Sequence, residues 1–101
     1  MDEAILAFKK AVQAVIKDPD IKFTLFGPKV DEVANADFDI KILIATKGDF
    51  GSMRSKVEDI EMEMVSSKGV LINSYLYTHG ELERRKSEPF IASILENGVT
   101  I

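Results

Sequence analysis

Two aspartates, Asp37 and Asp39, are spaced so that both could act on one ligand. They open the segment DFDIKILIAT (37–46), whose alternating apolar residues predict a β-strand. Alternate side chains of a strand share a face, which puts these two carboxylates roughly 6–7 Å apart at the backbone. At a charge separation of about 5 Å and an effective dielectric of about 20, they repel each other by about 3 kcal/mol. A divalent cation would relieve this repulsion, because Mg²⁺ prefers carboxylate oxygen. The spacing alone also fits a solvated strand entrance, and both interpretations stay open.

The elements around this pair follow from apolar periodicity and from turn residues. The segment IKFTLF (21–26) is predicted as a strand that ends at Gly27-Pro28, and eight residues (29–36) then connect it to the strand 37–46. In that second strand Ile40, Ile42 and Ile44 share a face with Phe38, while Lys41, Leu43 and Ala45 share the other face with the two aspartates. VLINSYLYT (70–78) is predicted as a third strand.

Four helical segments complete the pattern. An amphipathic helix opens the chain and stops at Asp18-Pro19, because proline disfavours helical geometry in the residue before it. A second helix carries Met53, Val57, Ile60 and Met64 on its core face and ends within 66–69. A short helical segment over 80–85 precedes a last helix, which begins near Pro89 and ends at the C-cap signal Asn97-Gly98. Residues 99–101 could add a short strand.

These elements predict a fold of the α/β (α+β) class in one domain spanning residues 1–101. The expected order is α-β-(turn)-β-α-β-α, with a mixed sheet of three or four strands and helices over at least one of its faces. A chain of 101 residues is long enough for one hydrophobic core. The domain should fold alone or as a small oligomer, so a homo-dimer stays open.

Composition narrows the classes of function. The net charge of −4 gives no general attraction for phosphate backbones, which makes nucleic acid an unlikely partner. The basic run 84–86 is flanked by glutamates and is predicted to be a solvated helix face. No apolar run approaches the ~20 residues that cross a bilayer, so no membrane association is expected. The chain has no cysteine, in keeping with the reducing cytoplasm, where we expect it.

Other candidate side chains have ordinary structural explanations. His79 is the single histidine and is predicted to be a surface turn residue. Tyr75 and Tyr77 share a strand face with Asn73 and are expected to serve packing rather than stacking on a nucleotide. Met53 and Met64, the methionines on the apolar stripe of the second helix, are expected in the core.

The stretch LFGPKVDEVANADFDIKILI (25–44) resembles the signature of the DNA polymerase beta-like nucleotidyltransferase superfamily. In that superfamily an apolar strand ends in Gly-Ser, and a D-x-D pair follows on the next strand. Here Leu25-Phe26-Gly27 matches the strand end and Asp37-Phe38-Asp39 matches the acidic pair. The ending YLYTHGELERR (75–85) with PFIASILENGVTI (89–101) is similar to that of the minimal nucleotidyltransferases, so the resemblance extends from Lys22 to the end of the sequence.

The resemblance implies a nucleotidyltransferase-like fold. It also implies metal-dependent transfer of a nucleoside monophosphate, with AMP as the expected one, from a triphosphate to an acceptor hydroxyl. Asp37 and Asp39 would be the catalytic residues and would bind Mg²⁺ or Mn²⁺. Gly27, Pro28 and Lys29 would lie against the phosphates of ATP, and Asn73 would stand at the position of a third acid. The resemblance also implies a protein partner, since many minimal nucleotidyltransferases are antitoxins of HEPN-type toxins and can modify them with AMP.

The sequence departs from the superfamily pattern at the residues closest to the chemistry. Pro28 replaces the serine after the glycine, and proline supplies neither a hydroxyl nor an N–H donor. Asn73 replaces the third acid, and an amide cannot accept a proton at neutral pH. Lys41 shares the predicted face of Asp39 and could pair with it. Two functions therefore remain open: an enzyme, with turnover impaired or intact, and an inactive binding or antitoxin module that holds a nucleotide or a partner.

Overall fold

A computed structural model describes residues 3–27, 40–48 and 50–101 of the chain. Those parts form four helices and four strands. In chain order they are α1 (Glu3–Val15), β1 (Lys22–Phe26), β2 (Ile40–Thr46), α2 (Phe50–Lys68), β3 (Ile72–Thr78), α3 (His79–Arg85), α4 (Pro89–Asn97) and β4 (Val99–Thr100). The short helical segment expected over 80–85 and the short terminal strand are both present among them. The strand expected to begin at residue 37 is described from Ile40 onward.

The four strands form one mixed sheet in the order β3-β2-β1-β4. β2 and β3 run parallel, and β1 is antiparallel to both of its neighbours, β2 and β4. α2 connects the two parallel strands, as such a crossover requires. The sheet confirms the predicted α/β class and its mixed topology. Its assignment to the nucleotidyltransferase fold stays a prediction.

The main core lies between one face of the sheet and the helices α1 and α2. Residues at helical spacing in α1 meet alternate residues of the strands, as their apolar periodicity predicted. Phe8, Val12 and Val57 are fully excluded from solvent, as are Ile42 and Ile44 of β2. The rest of this core comprises Ile5, Ile16, Phe23, Leu25, Ile40, Met64, Ile72 and Leu76.

The opposite face of the sheet is covered by α3 and α4. The Phe90 ring of α4 contacts the rings of Phe26 and Tyr75, and the Arg85 guanidinium of α3 lies 5.3 Å from the ring centroid of Tyr77. Leu43 of β2 is 2% exposed on this side. β2 is therefore buried on both faces, which explains why its sequence reads as a nearly continuous apolar run.

The helix ends follow local capping chemistry. The Thr78 hydroxyl accepts a hydrogen bond from the Glu81 N–H at 2.9 Å and so caps α3. Pro89 stands in the first turn of α4, as predicted. In α3, Arg85 pairs with Glu81 and Glu88, so the basic run is neutralised by its own helix surface, as predicted. Within the described residues, no helix combines the length and apolar composition that crossing a bilayer requires.

Candidate functional site

The candidate site lies at the end of the sheet where β1 finishes and β2 begins. Because these strands are antiparallel, the last residue of β1 and the first residues of β2 are neighbours, and Phe26 pairs with Lys41. Parallel pairing then sets Lys41 beside Asn73 of β3. Ile40 is the first described residue of β2, and in the sequence it directly follows Asp39. One end of the sheet therefore collects Gly27, Lys41 and Asn73.

Gly27 has a backbone conformation that favours glycine. Its φ of +132° lies in a region that residues with a Cβ rarely adopt. A Cβ placed on Gly27 would meet no described atom within 4 Å, so no described residue crowds the backbone here. Glycine at such a point lets a ligand come close to the main chain. The geometry agrees with the position that sequence analysis gave Gly27, at the end of an apolar strand.

Lys41 and Asn73 lie side by side on one face of the sheet. Both side chains are partly exposed, and neither forms an ion pair or a side-chain hydrogen bond with a described residue. The ammonium group of Lys41 is a point charge with three donors, and the amide of Asn73 offers a donor group and an acceptor oxygen. Together they can bind an anionic oxygen, but the Asn73 amide cannot act as a general base.

An aromatic cluster borders Lys41 and Asn73 on the same face. The rings of Phe26, Tyr75 and Phe90 pack at centroid distances of 5.4 to 5.9 Å with edge-on or tilted geometry. Such contacts stabilise the ring cluster itself. The packing role predicted for Tyr75 is confirmed.

The other predicted site residues are not described. Asp37, Asp39, Pro28 and Lys29 lie outside the described residues, and their roles stay predictions. Within the described ranges, no group of three His, Asp or Glu side chains is close enough to hold a metal ion.

The opposite end of the sheet holds a polar cluster that sequence analysis missed. Asp18 is 6% exposed, and its carboxylate accepts hydrogen bonds from the Asp20 N–H at 2.9 Å, the Thr46 hydroxyl at 2.9 Å and the Lys47 N–H at 3.0 Å. Nε2 of His79 lies 3.3 Å from the same carboxylate. β2 and β3 are parallel, so both end here, about 20 Å from Gly27 along the strands.

These hydrogen bonds set the ionisation of Asp18. Burial by itself would raise the pKa of Asp18, but the donors of Asp20, Thr46, Lys47 and His79 outweigh it and lower that pKa from 3.8 to about 2. Asp18 is therefore a carboxylate, which only accepts, and Nε2 of His79 carries the proton between them.

The Asp18 cluster has the features of a structural anchor. The Thr46 hydroxyl is fully buried and donates to Asp18, so it cannot reach a substrate as a nucleophile. His79, predicted to be a surface turn residue, begins α3 and is tied to Asp18, with 36% of its side chain exposed. The sequence signal available for Asp18 was that of a helix stop before Pro19, and nothing in that signal indicates burial.

The two ends of the sheet thus differ in chemistry. The end at Gly27 and Ile40 carries a cation and an amide without described partners, while the end at Asp18 carries a satisfied network.

Comparison with protein-family models, with curated proteins and with solved structures finds no match for this chain. The geometry of the first end, together with the sequence that precedes Ile40, is therefore what supports a function.

Proposed function

We propose that this chain is a nucleotidyltransferase-like domain that acts in the cytoplasm and binds a nucleoside triphosphate, ATP, with Mg²⁺ or Mn²⁺ where β1 ends and β2 begins. One observation carries the proposal. The antiparallel register of β1 and β2 brings Gly27 to the end of the sheet at which Ile40 starts, and Ile40 is the next residue after the D-x-D pair. The two matches to the superfamily signature are separated by twelve positions from Gly27 to Asp39, and the described residues Gly27 and Ile40 that flank this interval lie at the same end of the sheet, which supports the proposal.

The described side chains suit a polyphosphate at this place. Lys41 stands beside Asn73, and a positive charge at this position suits a phosphate oxygen. Gly27 carries no side chain and no described atom crowds its backbone, which suits a phosphate that approaches backbone N–H groups. The proposed ligands for the divalent cation are the carboxylates of Asp37 and Asp39.

The proposed reaction is in-line displacement at the α-phosphorus of ATP. The acceptor oxygen forms a bond to that phosphorus, the bond to pyrophosphate breaks, and the acceptor proton leaves to a base or to water. The divalent cation would offset charge on the attacking and leaving oxygens. We propose a hydroxyl of a protein partner as the acceptor, of the HEPN-type toxin class that the sequence resemblance implies.

The second candidate function is a binding module without turnover, and Asn73 is the observation that favours it. Asn73 lies at the register position of Lys41, on the strand where the superfamily carries its third acid. An amide there cannot take the proton of an acceptor hydroxyl. Such a module would still hold a nucleotide or a partner protein at the same end of the sheet.

Thermal unfolding with and without Mg²⁺ and ATP tests binding. A ligand that binds the folded state at 100 times its Kd stabilises it by about 2.7 kcal/mol, so the melting temperature rises clearly. Asp37→Asn/Asp39→Asn should remove this rise, whereas the matched control Asp20→Asn/Asp59→Asn, at two exposed positions away from the site, should keep it. A wild-type protein that shows no shift with either Mg²⁺ or Mn²⁺ would contradict nucleotide binding.

Transfer of labelled AMP to protein then separates the two candidates. The enzyme predicts label on an acceptor that depends on Asp37 and Asp39. The binding module predicts a thermal shift without label, and Asn73→Asp should then raise transfer above background by restoring a base on β3. If Asn73→Asp binds nucleotide but transfers nothing, the loss of the third acid is not what limits turnover.

A further inference from the structure

Apolar side chains are exposed where α2 passes the start of β3. Met62, Val65 and Leu71 are 69%, 48% and 49% exposed, and together they line a groove of ≈ 310 Å³. We call these three residues the α2 patch. Contiguous apolar surface of this kind costs free energy in water, and on soluble proteins it marks interaction sites.

Opposite charges flank the α2 patch along the helix. Lys68 lies three residues after Val65, and Glu58 lies four residues before Met62, so each is the neighbour of one patch residue on the helix surface. Both side chains are exposed, and neither forms an ion pair with any described residue. The patch therefore has a negative charge at one end and a positive charge at the other.

The neighbouring edge of the sheet is closed to strand pairing at its centre. β3 is an outer strand, so one of its sides has no neighbouring strand among the described residues. On that side the Glu61 carboxylate accepts hydrogen bonds from the N–H and the hydroxyl of Ser74, both at 2.7 Å. An incoming strand would have to displace this carboxylate, a device that protects sheet edges. A helix is the better fit to this surface.

We propose that the α2 patch is a twofold interface between two copies of this chain, formed by α2 packed antiparallel against α2 of the second copy. An axis that crosses α2 between Met62 and Val65 sets Met62 against the partner's Val65. The same axis brings Lys68 beside the partner's Glu58. Every contact then occurs twice, as in any isologous interface.

Self-complementarity is what identifies the second copy as the occupant. An antiparallel arrangement centred on the patch places unlike charges together at both ends. An arrangement centred on Glu61 would instead place Arg54 against the partner's Lys68 and Glu61 against the partner's Glu61. The apolar centre and the charges thus agree on one register. The groove also takes in Asn73 of β3, so it borders the proposed nucleotide site, whereas Met62 and Val65, which form the apolar centre of the interface, lie on α2.

Sedimentation velocity over an about 100-fold dilution series tests the interface, because the dimer fraction of a reversible dimer depends on concentration. The wild-type chain should shift from monomer to dimer as its concentration rises. Met62→Glu should weaken the dimer by about 10-fold or more, since it places a charge in the apolar centre. The matched control Leu95→Glu, an exposed leucine of α4 on the other side of the sheet, should leave the dimer unchanged. Circular dichroism of each variant confirms that it is folded.

Charge exchange tests the proposed register. Lys68→Glu and Glu58→Lys should each weaken the dimer by about 3- to 10-fold, because each change sets like charges opposite each other twice. The double variant Lys68→Glu/Glu58→Lys should recover the wild-type dimer to within about 2-fold. A chain that stays monomeric at every concentration overturns the proposal and leaves the patch to a different protein. A dimer that Met62→Glu does not weaken, or that the double exchange does not restore, overturns it equally.

Discussion

At the scale of single residues, Asp18 joins three separate segments through one carboxylate. It binds the turn before β1 through the Asp20 N–H, the end of β2 through Thr46 and Lys47, and the start of α3 through His79. Without the carboxylate the fully buried Thr46 hydroxyl would be left unpaired, and an unmade buried hydrogen bond costs more than a made one contributes. The end of the sheet near Asp18 therefore depends on a single ionised group.

We expect this dependence to appear as acid sensitivity between about pH 4 and pH 2. The pKa of Asp18 is lowered from 3.8 to about 2, so across this interval the unfolded chain binds the proton and the folded chain does not. The stabilisation is therefore complete above about pH 4 and is lost as the pH falls toward 2. Thermal unfolding of wild type and Asp18→Asn at several pH values measures this loss of stability. At neutral pH, Asp18→Asn should melt about 5 °C or more below wild type, and the difference should shrink below pH 4.

Comparison with a neighbouring variant isolates the effect of Asp18. Asp20→Asn changes an exposed carboxylate whose backbone N–H, not its side chain, serves Asp18. It should melt close to wild type at every pH. Glu88, whose pKa is lowered by its hydrogen bond with Arg85, is present in all three proteins and cancels from the difference. A wild-type and Asp18→Asn difference that stays constant from pH 7 to pH 2 would contradict the assignment.

At the scale of elements, Gly98 fixes the junction between α4 and β4. Its N–H donates to the Ile94 carbonyl at 2.8 Å, and it ends α4 with a φ of −74° that any residue can adopt. A Cβ at this position would lie 2.5 Å from Cγ2 of Thr24 and 2.6 Å from the Ile94 oxygen. Glycine is needed here because the chain passes too close to β1 for a side chain.

We therefore expect Gly98→Ala to destabilise the fold by about 1–3 kcal/mol, because the new methyl group meets a backbone oxygen that cannot rotate away. The pairing of β4 with β1 through Thr24 and Leu25 should loosen first. Chemical unfolding measures the stability, and amide exchange at Ile101, whose N–H donates to the Phe23 carbonyl, measures the pairing.

The matched control for this change is Gly80→Ala in α3. A Cβ at Gly80 would meet its nearest atom, Nη1 of Arg84, at an ordinary 3.5 Å, and alanine favours a helix over glycine by about 1 kcal/mol. Gly80→Ala should be neutral or stabilising. Equal effects of the two substitutions would show that backbone flexibility, rather than close approach, determines the role of Gly98.

The elements also show what the sequence could and could not predict. Apolar spacing was enough for α1, α2 and the face of β2 that carries Ile42, since periodicity reports which side of an element is buried. The Asn97-Gly98 signal gave the right end of α4, but the reason is contact with β1, which no local pattern contains. For the candidate site, the predicted strands correctly gave Gly27 at the end of β1 and Asn73 on β3, whereas the anchor at Asp18 depends on residues 28 and 61 positions away in sequence.

At the scale of the whole molecule, β2 links two apolar layers. Ile42 faces the core under α1 and α2, and Leu43 faces the layer under α3 and α4, with exposures of 0% and 2%. Adjacent residues of one strand thus belong to different layers, because side chains alternate between the faces of a sheet. If β2 detached from one layer, apolar residues of both layers would be exposed to water.

This shared strand predicts a single cooperative unfolding transition. Ile42→Ala and Leu43→Ala should each lower the free energy of unfolding by about 2–4 kcal/mol, as truncation of a buried aliphatic side chain does. Both variants should shift the same transition, whether it is followed by far-ultraviolet circular dichroism, which reports mainly the longer helices α1 and α2, or by near-ultraviolet signals of Tyr75 and Tyr77 on the other face. If Leu43→Ala moved the tyrosine signal alone, the two layers would unfold separately, and the sheet would be a boundary between them rather than their common centre.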